Sequence, residues 1–217
     1  KACDAQVDDD FHINPEEIEK KYFGVLTKIF NVARFASMFP CPDDLDTVPE
    51  DLAIEDRWII AEFQNTMSIV QNSWAGLDIY TATQALKSFA TGVLPSHWLE
   101  MAKTRLYDGD QAAAWTIHRI VRDFMAAFSP VCPFFSHHIT STLYESSAVD
   151  VREFPESPIV SDSELCALSN SIQEFNSATW KQKKDVGLSL NAPIEGISIP
   201  ADLAAFSEVL TAMHKLE

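Results

Sequence analysis

Four long stretches of this chain repeat apolar residues at steps of three and four, and the breaks between them are short. Ile60, Phe63, Met67, Val70 and Trp74 form one run, Ile79, Ala82, Leu86, Phe89 and Val93 a second, and Ala113, Ile117, Val121, Phe124 and Phe128 a third. Each is the core-facing stripe of an amphipathic helix. An earlier run (Tyr22, Leu26, Ile29, Ala33, Ala36) follows Asn14 and Pro15, an N-cap residue and a proline at the first helical position. Pro40, Gly76, the YDGD turn and Pro130 punctuate the runs, and a shorter helix is predicted from Pro133 to Tyr144. Long helices joined by short loops bury their stripes against one another, which predicts an antiparallel helical bundle. Pro95 falls inside the pattern, before Trp98 and Met101, and predicts a kink or a break there.

The character changes after residue 146. VDVREFPESPIV reads as extended and proline-rich, a helix is predicted from Ser163 to about Val186, and GLSLNAPIEGISIP alternates like one or two strands around an Asn-Ala-Pro turn. A last helix starts near Ala201. The predicted fold class is therefore mainly α: a helical bundle over residues 1–146 and a small α+β appendage over 147–217.

At 217 residues and 47% hydrophobic, the chain can bury one good core. No apolar run approaches the roughly 18 residues of a membrane span, and KACDAQVDDD lacks the features of a signal peptide. Four cysteines without CxxC spacing argue against a disulfide framework, so a cytoplasmic location is expected. The start without methionine suggests a boundary inside a longer polypeptide. A formal net charge of -16 repels phosphate at long range, so any case for nucleic acid rests on local groups.

Several chemistries lack their residues. None of the six histidines has a glutamate three positions before it, which removes the di-metal pattern of helical bundles. HExxH, GxSxG, GxxxxGK[ST] and GxGxxG are absent. Cys132, His137 and His138 are close in sequence, but adjacent histidines on a helix point about 100° apart and do not both face one metal. No catalytic residue and no metal site is predicted.

Three clusters carry polar chemistry. Lys28, Asn31 and Arg34 follow one helical stripe beside Phe35, the group types that contact phosphate, read base edges and stack on unpaired bases. The same stripe also fits a solvated polar face over a core phenylalanine. His97 and Trp98 follow Pro95, with Lys103 and Arg105 close behind; they suit stacking on a single strand, or else a core tryptophan with cations paired to Glu100 and other carboxylates. Lys181, Lys183 and Lys184 end a helix before Gly187, where the helix dipole alone explains them and phosphate contact is an added possibility.

Taken in order, "LTKIFNVARF", "DRWIIAEFQ", "GLDIYTATQALKSF", "HWLEMAKTRLY", "FSPVCPFFSHHITSTLY", "EFPE" and "KKDVGLSLNAPIEGISI" resemble the anticodon-binding region of class I aminoacyl-tRNA synthetases, most closely the archaeal-type valyl branch. The resemblance implies a bundle gripping the anticodon stem-loop of a tRNA and a small module toward the stem. It implies Asn31 and Arg34 on base edges, Phe35, His97 and Trp98 at the stacked bases, and Lys28, Lys103, Arg105, Lys181, Lys183 and Lys184 on phosphates. For a valine tRNA the fixed anticodon letters are A and C, both bearing an exocyclic amine. The ATP-binding motifs H-I-G-H and K-M-S-K-S of this class are absent, so no cofactor is expected in this chain; ATP, and the rest of the ligase, would belong to the parent polypeptide. His137 and His138 replace a frequent acidic pair, and Phe154 a frequent tryptophan. The alternatives are an isoleucyl or leucyl domain, or a non-enzymatic helical-bundle interaction protein.

Overall fold

Asn14 opens the first helix as its sequence predicts: its side chain accepts the Glu16 N–H at 3.0 Å, ahead of Pro15. The computed structural model describes residues 14–144, 154 and 162–217. Helix α1 (Pro15–Glu17) passes through a π turn (Ile18–Tyr22) into α2 (Phe23–Ala36). Helix α3 (Ile54–Ala75) and α4 (Ile79–Ser88) follow, the latter capped by Asp78, which accepts the Thr81 N–H at 3.0 Å. A π-helical stretch (Phe89–Trp98) leads to α5 (Leu99–Tyr107), then come α6 (Gln111–Phe128) and α7 (Pro133–Tyr144). The predicted break at Pro95 is thus a change of winding. Proline offers no N–H to the helical ladder, and the wider π turn accommodates it without ending the helix.

Most residues of the stripes predicted from periodicity are buried, but Ile79 is exposed and Tyr22, Leu26, Trp74 and Val93 are half-buried. Trp58, Ile59, Leu86, Ile117 and Ile120 are fully buried, and α6 is enclosed along almost its whole length. Side chains of α6 also pin the loop after α2: His118 Nε2 lies 3.1 Å from the Phe39 carbonyl oxygen, and Arg119 donates to the Leu45 carbonyl at 2.8 Å. That loop fixes where α2 ends.

Beyond the bundle lie α8 (Ser163–Ala167), α9 (Ser169–Asp185), a 3-10 turn (Ala201–Phe206) and α10 (Ser207–His214). Their Leu165, Ile172, Phe175, Leu203, Phe206 and Leu210 belong to the same buried cluster as the bundle. A polar clasp adds to it, in which Trp58 donates to Ser169 Oγ at 2.9 Å and Ser169 donates to Glu62 at 2.6 Å. Cys166 also meets Glu62, at 3.2 Å, and burial with that carboxylate pushes its thiol up to about 12, which makes it a poor nucleophile.

The strands expected in GLSLNAPIEGISIP are corrected: among the described residues there is no strand, only a parallel bridge between Ile194 and Leu216. A strand needs a neighbouring edge, and this segment has none beyond that bridge; Pro193 and Pro200 also lack the N–H a ladder uses. Its Leu190 carbonyl is taken instead by the Lys183 ammonium at 2.8 Å. The described fold is mainly α. The extended stretch expected near residues 147–161 lies outside the described residues, apart from Phe154, which packs on the core.

Candidate nucleic-acid interface

Helix α2 buries Ile29, Val32, Ala33 and Ala36 against the bundle, and that choice of face leaves Lys28, Asn31 and Arg34 exposed on the opposite side. They border an open cavity of about 500 Å³, within the usual range for ligand sites. Val32 and Phe35, with Met38 just past the end of α2, complete this wall, while Thr91, Pro95, Ser96, Leu99, Glu100 and Lys103 form the facing wall. The second wall runs from the end of the π stretch into α5, where Ser96, Leu99, Glu100 and Lys103 recur at steps of three and four after Pro95 and so share one outward face.

Phe35 is half-buried and meets Phe39 edge-on at 5.0 Å and Tyr107 at 6.1 Å between ring centroids. Those contacts hold the ring still while it lines the cavity, which suits a stacking platform. Among the described residues, Lys28, Asn31 and Arg34 engage no side-chain partner, so their donors and acceptors are available to a ligand. Sequence reasoning missed Met38, Ser96 and Glu100 as wall residues. Met38 follows Arg34 and Phe35 by one helical turn, a signal that could have found it.

The other expected contacts divide. Lys103 lies on the wall and pairs with Glu100 at 3.5 Å, a half-exposed pair of small worth. Trp98 is corrected: its ring is 0% exposed and its Nε1–H donates to Asp56 at 3.1 Å, so it presents no face to a base. Arg105 is corrected as well, because its guanidinium is held by Glu55 at 2.7 Å, Asp56 at 2.7 Å and Asp110 at 2.8 Å, which commits three of its five N–H donors and its charge to internal carboxylates rather than to phosphate. Burial works to lower its pKa, but the bonds to those carboxylates raise it above the ordinary value, while burial pushes the Asp56 carboxyl up to about 6. Near neutral pH the cluster is an ionised scaffold.

His97 and Lys183 also turn inward, a correction to their expected roles. His97 Nδ1 lies 3.1 Å from Asn176 Nδ2, and Asn176 Oδ1 lies 2.8 Å from His214 Nε2, so the amide joins the π stretch to α9 and α10. Trp180 packs on both imidazoles, at 5.6 and 5.5 Å. The Lys183 ammonium is buried and donates to the carbonyls of Leu190 and His214. Lys181 and Lys184 stay exposed on α9, away from the cavity wall.

This buried clasp sets a pH dependence. The amide donates to His97 Nδ1 and accepts from His214 Nε2–H, so His97 is neutral, and a proton added to its Nδ1 would face another donor. Burial holds both below the ordinary imidazole range, His214 at about 4 with Lys183 adding to the effect. A depressed histidine gives stability that is present above its unfolded pKa and lost as pH falls toward the folded one, here from about 6.5 toward 4. His214→Gln is expected to flatten the fall in urea midpoint between pH 7 and 5 by on the order of 1–2 kcal/mol relative to wild type, after allowance for solvent screening. Asp56, with its pKa raised, works in the opposite sense in both proteins and cancels in that difference.

The model of a family described as the anticodon-binding domain of tRNA ligases matches residues 56–198. The valine–tRNA ligase of Saccharolobus solfataricus is 30% identical over 193 residues, covering 88% of this chain and 23% of that protein. Those of Aeropyrum pernix and Pyrobaculum aerophilum are 29% identical over 202 residues and 28% over 227, covering 87% and 99% of this chain and 24% and 27% of those proteins. The chain spans about a quarter of the length of the curated relatives it matches.

Proposed function

Because this chain belongs to the family of anticodon-binding domains of tRNA ligases, we propose that it grips the anticodon stem-loop of a tRNA, and that the tRNA is valine's. The observation that carries the proposal is the open cavity beside α2, where a cation, an amide, a guanidinium and an anchored aromatic ring converge. The valine–tRNA ligases that align with most of the chain support the choice of amino acid.

In this reading Asn31 and Arg34 bond base edges, Phe35 stacks, and Lys28 and Lys103 meet phosphates. Lys181 and Lys184 reach the stem. Trp98, His97, Arg105 and Lys183 act from inside, holding the π stretch and α5 in place. Residues 1–146 supply the anticodon grip and 147–217 the stem-side part, a division of labour over one continuous core. ATP-dependent ligation in the cytoplasm belongs to the parent enzyme, and this chain supplies its recognition.

With a net charge of -16, long-range repulsion opposes RNA, but it is screened beyond roughly 8 Å at physiological salt, so a local cationic edge still acts. Weak binding follows, looser than about 0.1 μM at physiological salt. Titration of labelled valine and isoleucine anticodon stem-loops at low salt tests the proposal. Preference for the valine loop is expected; equal affinity for both would refute the specificity, and no binding of either would refute the grip.

A further inference from the structure

Glu100 has the wrong charge for where it stands. Lys28, Arg34 and Lys103 border the cavity beside α2, as a phosphate-bearing ligand requires, and Glu100 is the one carboxylate among the described residues that line it. A carboxylate there opposes every phosphate that approaches. Its pairing with Lys103 does not account for it, since that pair is 3.5 Å long with side chains 44% and 50% exposed, and a water molecule competes for such a contact on nearly equal terms. It keeps acceptor capacity toward the cavity, where Asn31 offers both an acceptor and a donor and the three cations offer donors alone.

A carboxylate discriminates where cations and amides do not. It only accepts hydrogen bonds, so it attracts the exocyclic amine of cytosine or adenine and repels the carbonyl that uracil or guanine carries in the same place. Resting on the anticodon reading above, we propose that Glu100 is a specificity-determining residue of this site, accepting a hydrogen bond from the exocyclic amine of an anticodon base and rejecting bases that present a carbonyl there. Both letters expected for valine carry such an amine. Affinity for the loop comes from the cations and the Phe35 ring; selection of the amine-bearing letter comes from the acid that weakens that affinity.

The test uses the 217-residue chain, wild type and Glu100→Gln, with four stem-loops: the valine loop, the loop with adenine replaced by purine, the loop with cytosine replaced by pyrimidin-2-one, and the loop with cytosine replaced by uracil. Each of the first two replacements removes only an amine. With wild type, one of them is expected to weaken binding about tenfold or more, the scale of a hydrogen bond to a charged group. In Glu100→Gln, whose amide rotates to offer a donor, that penalty is expected to shrink to about two- to threefold, and uracil to be better tolerated if cytosine is the letter read. If the substitution changes the affinity for all four loops by one common factor, Glu100 acts only as a diffuse charge or a partner of Lys103 and the proposal is overturned. Failure of wild type to bind any loop would overturn the anticodon reading itself, a different outcome from uniform change.

Discussion

Replacing Arg105 by alanine is expected to cost about 3–5 kcal/mol of stability, read as a fall in the urea midpoint. The guanidinium is the common partner of Glu55, Asp56 and Asp110, and Asp56 is 0% exposed. Removing it strands a buried carboxylate near neutral pH, with Trp98 Nε1–H and the more distant Ala53 N–H left to bond it. Trp98→Ala strikes the same cluster from the other side and should cost a similar ~3–5 kcal/mol through the cavity it leaves, whereas Trp98→Phe keeps most of the volume and forfeits chiefly the bond to Asp56, about 1–3 kcal/mol. Were Arg105 a phosphate contact, its loss would weaken RNA binding and leave the midpoint unmoved; that result would contradict the geometry.

Arg34→Ala is expected to do the reverse. Its side chain is exposed and has no partner among the described residues, so the urea midpoint should stay within about 0.5 kcal/mol of wild type. Binding of the valine stem-loop, followed by fluorescence anisotropy, should weaken by roughly 5- to 150-fold, which corresponds to about 1–3 kcal/mol for a base-edge contact. Phe35→Leu, which keeps apolar packing against Phe39 and Tyr107, should lose about 1–3 kcal/mol of binding through stacking alone. A normal affinity in both variants would move the RNA away from this cavity.

The contrast between these residues shows how far sequence reasoning reached. Lys28, Asn31 and Arg34 were legible because one helix sets their relative positions: steps of three fix a stripe, and the apolar residues between them fix which side it faces. Trp98 and Arg105 were ambiguous for the opposite reason. They lie three and ten residues past Pro95, where the change to π winding shifts which residues point inward, and their partners (Asp56, Glu55) lie over forty positions away in sequence. Lys183 fitted a helix-dipole explanation as well as a phosphate one, and its true partners are carbonyls of residues that follow it.

The expected strands near residues 188–199 failed on the same ground. Alternation of apolar residues is a local signal, but a strand exists only with an edge to pair against, and the chain supplies a single bridge at Ile194. By itself the sequence determined the helices, their caps at Asn14 and Asp78, the apolar faces that must meet and the polar stripe left outside, because these follow from backbone geometry within a few turns. Only the tertiary structure decided which cations reach solvent, which are consumed as internal partners, and that α2 and the π stretch face each other across a cavity. Those outcomes depend on how distant carboxylates, carbonyls and rings are brought within about 3 to 6 Å, a range that no local periodicity encodes.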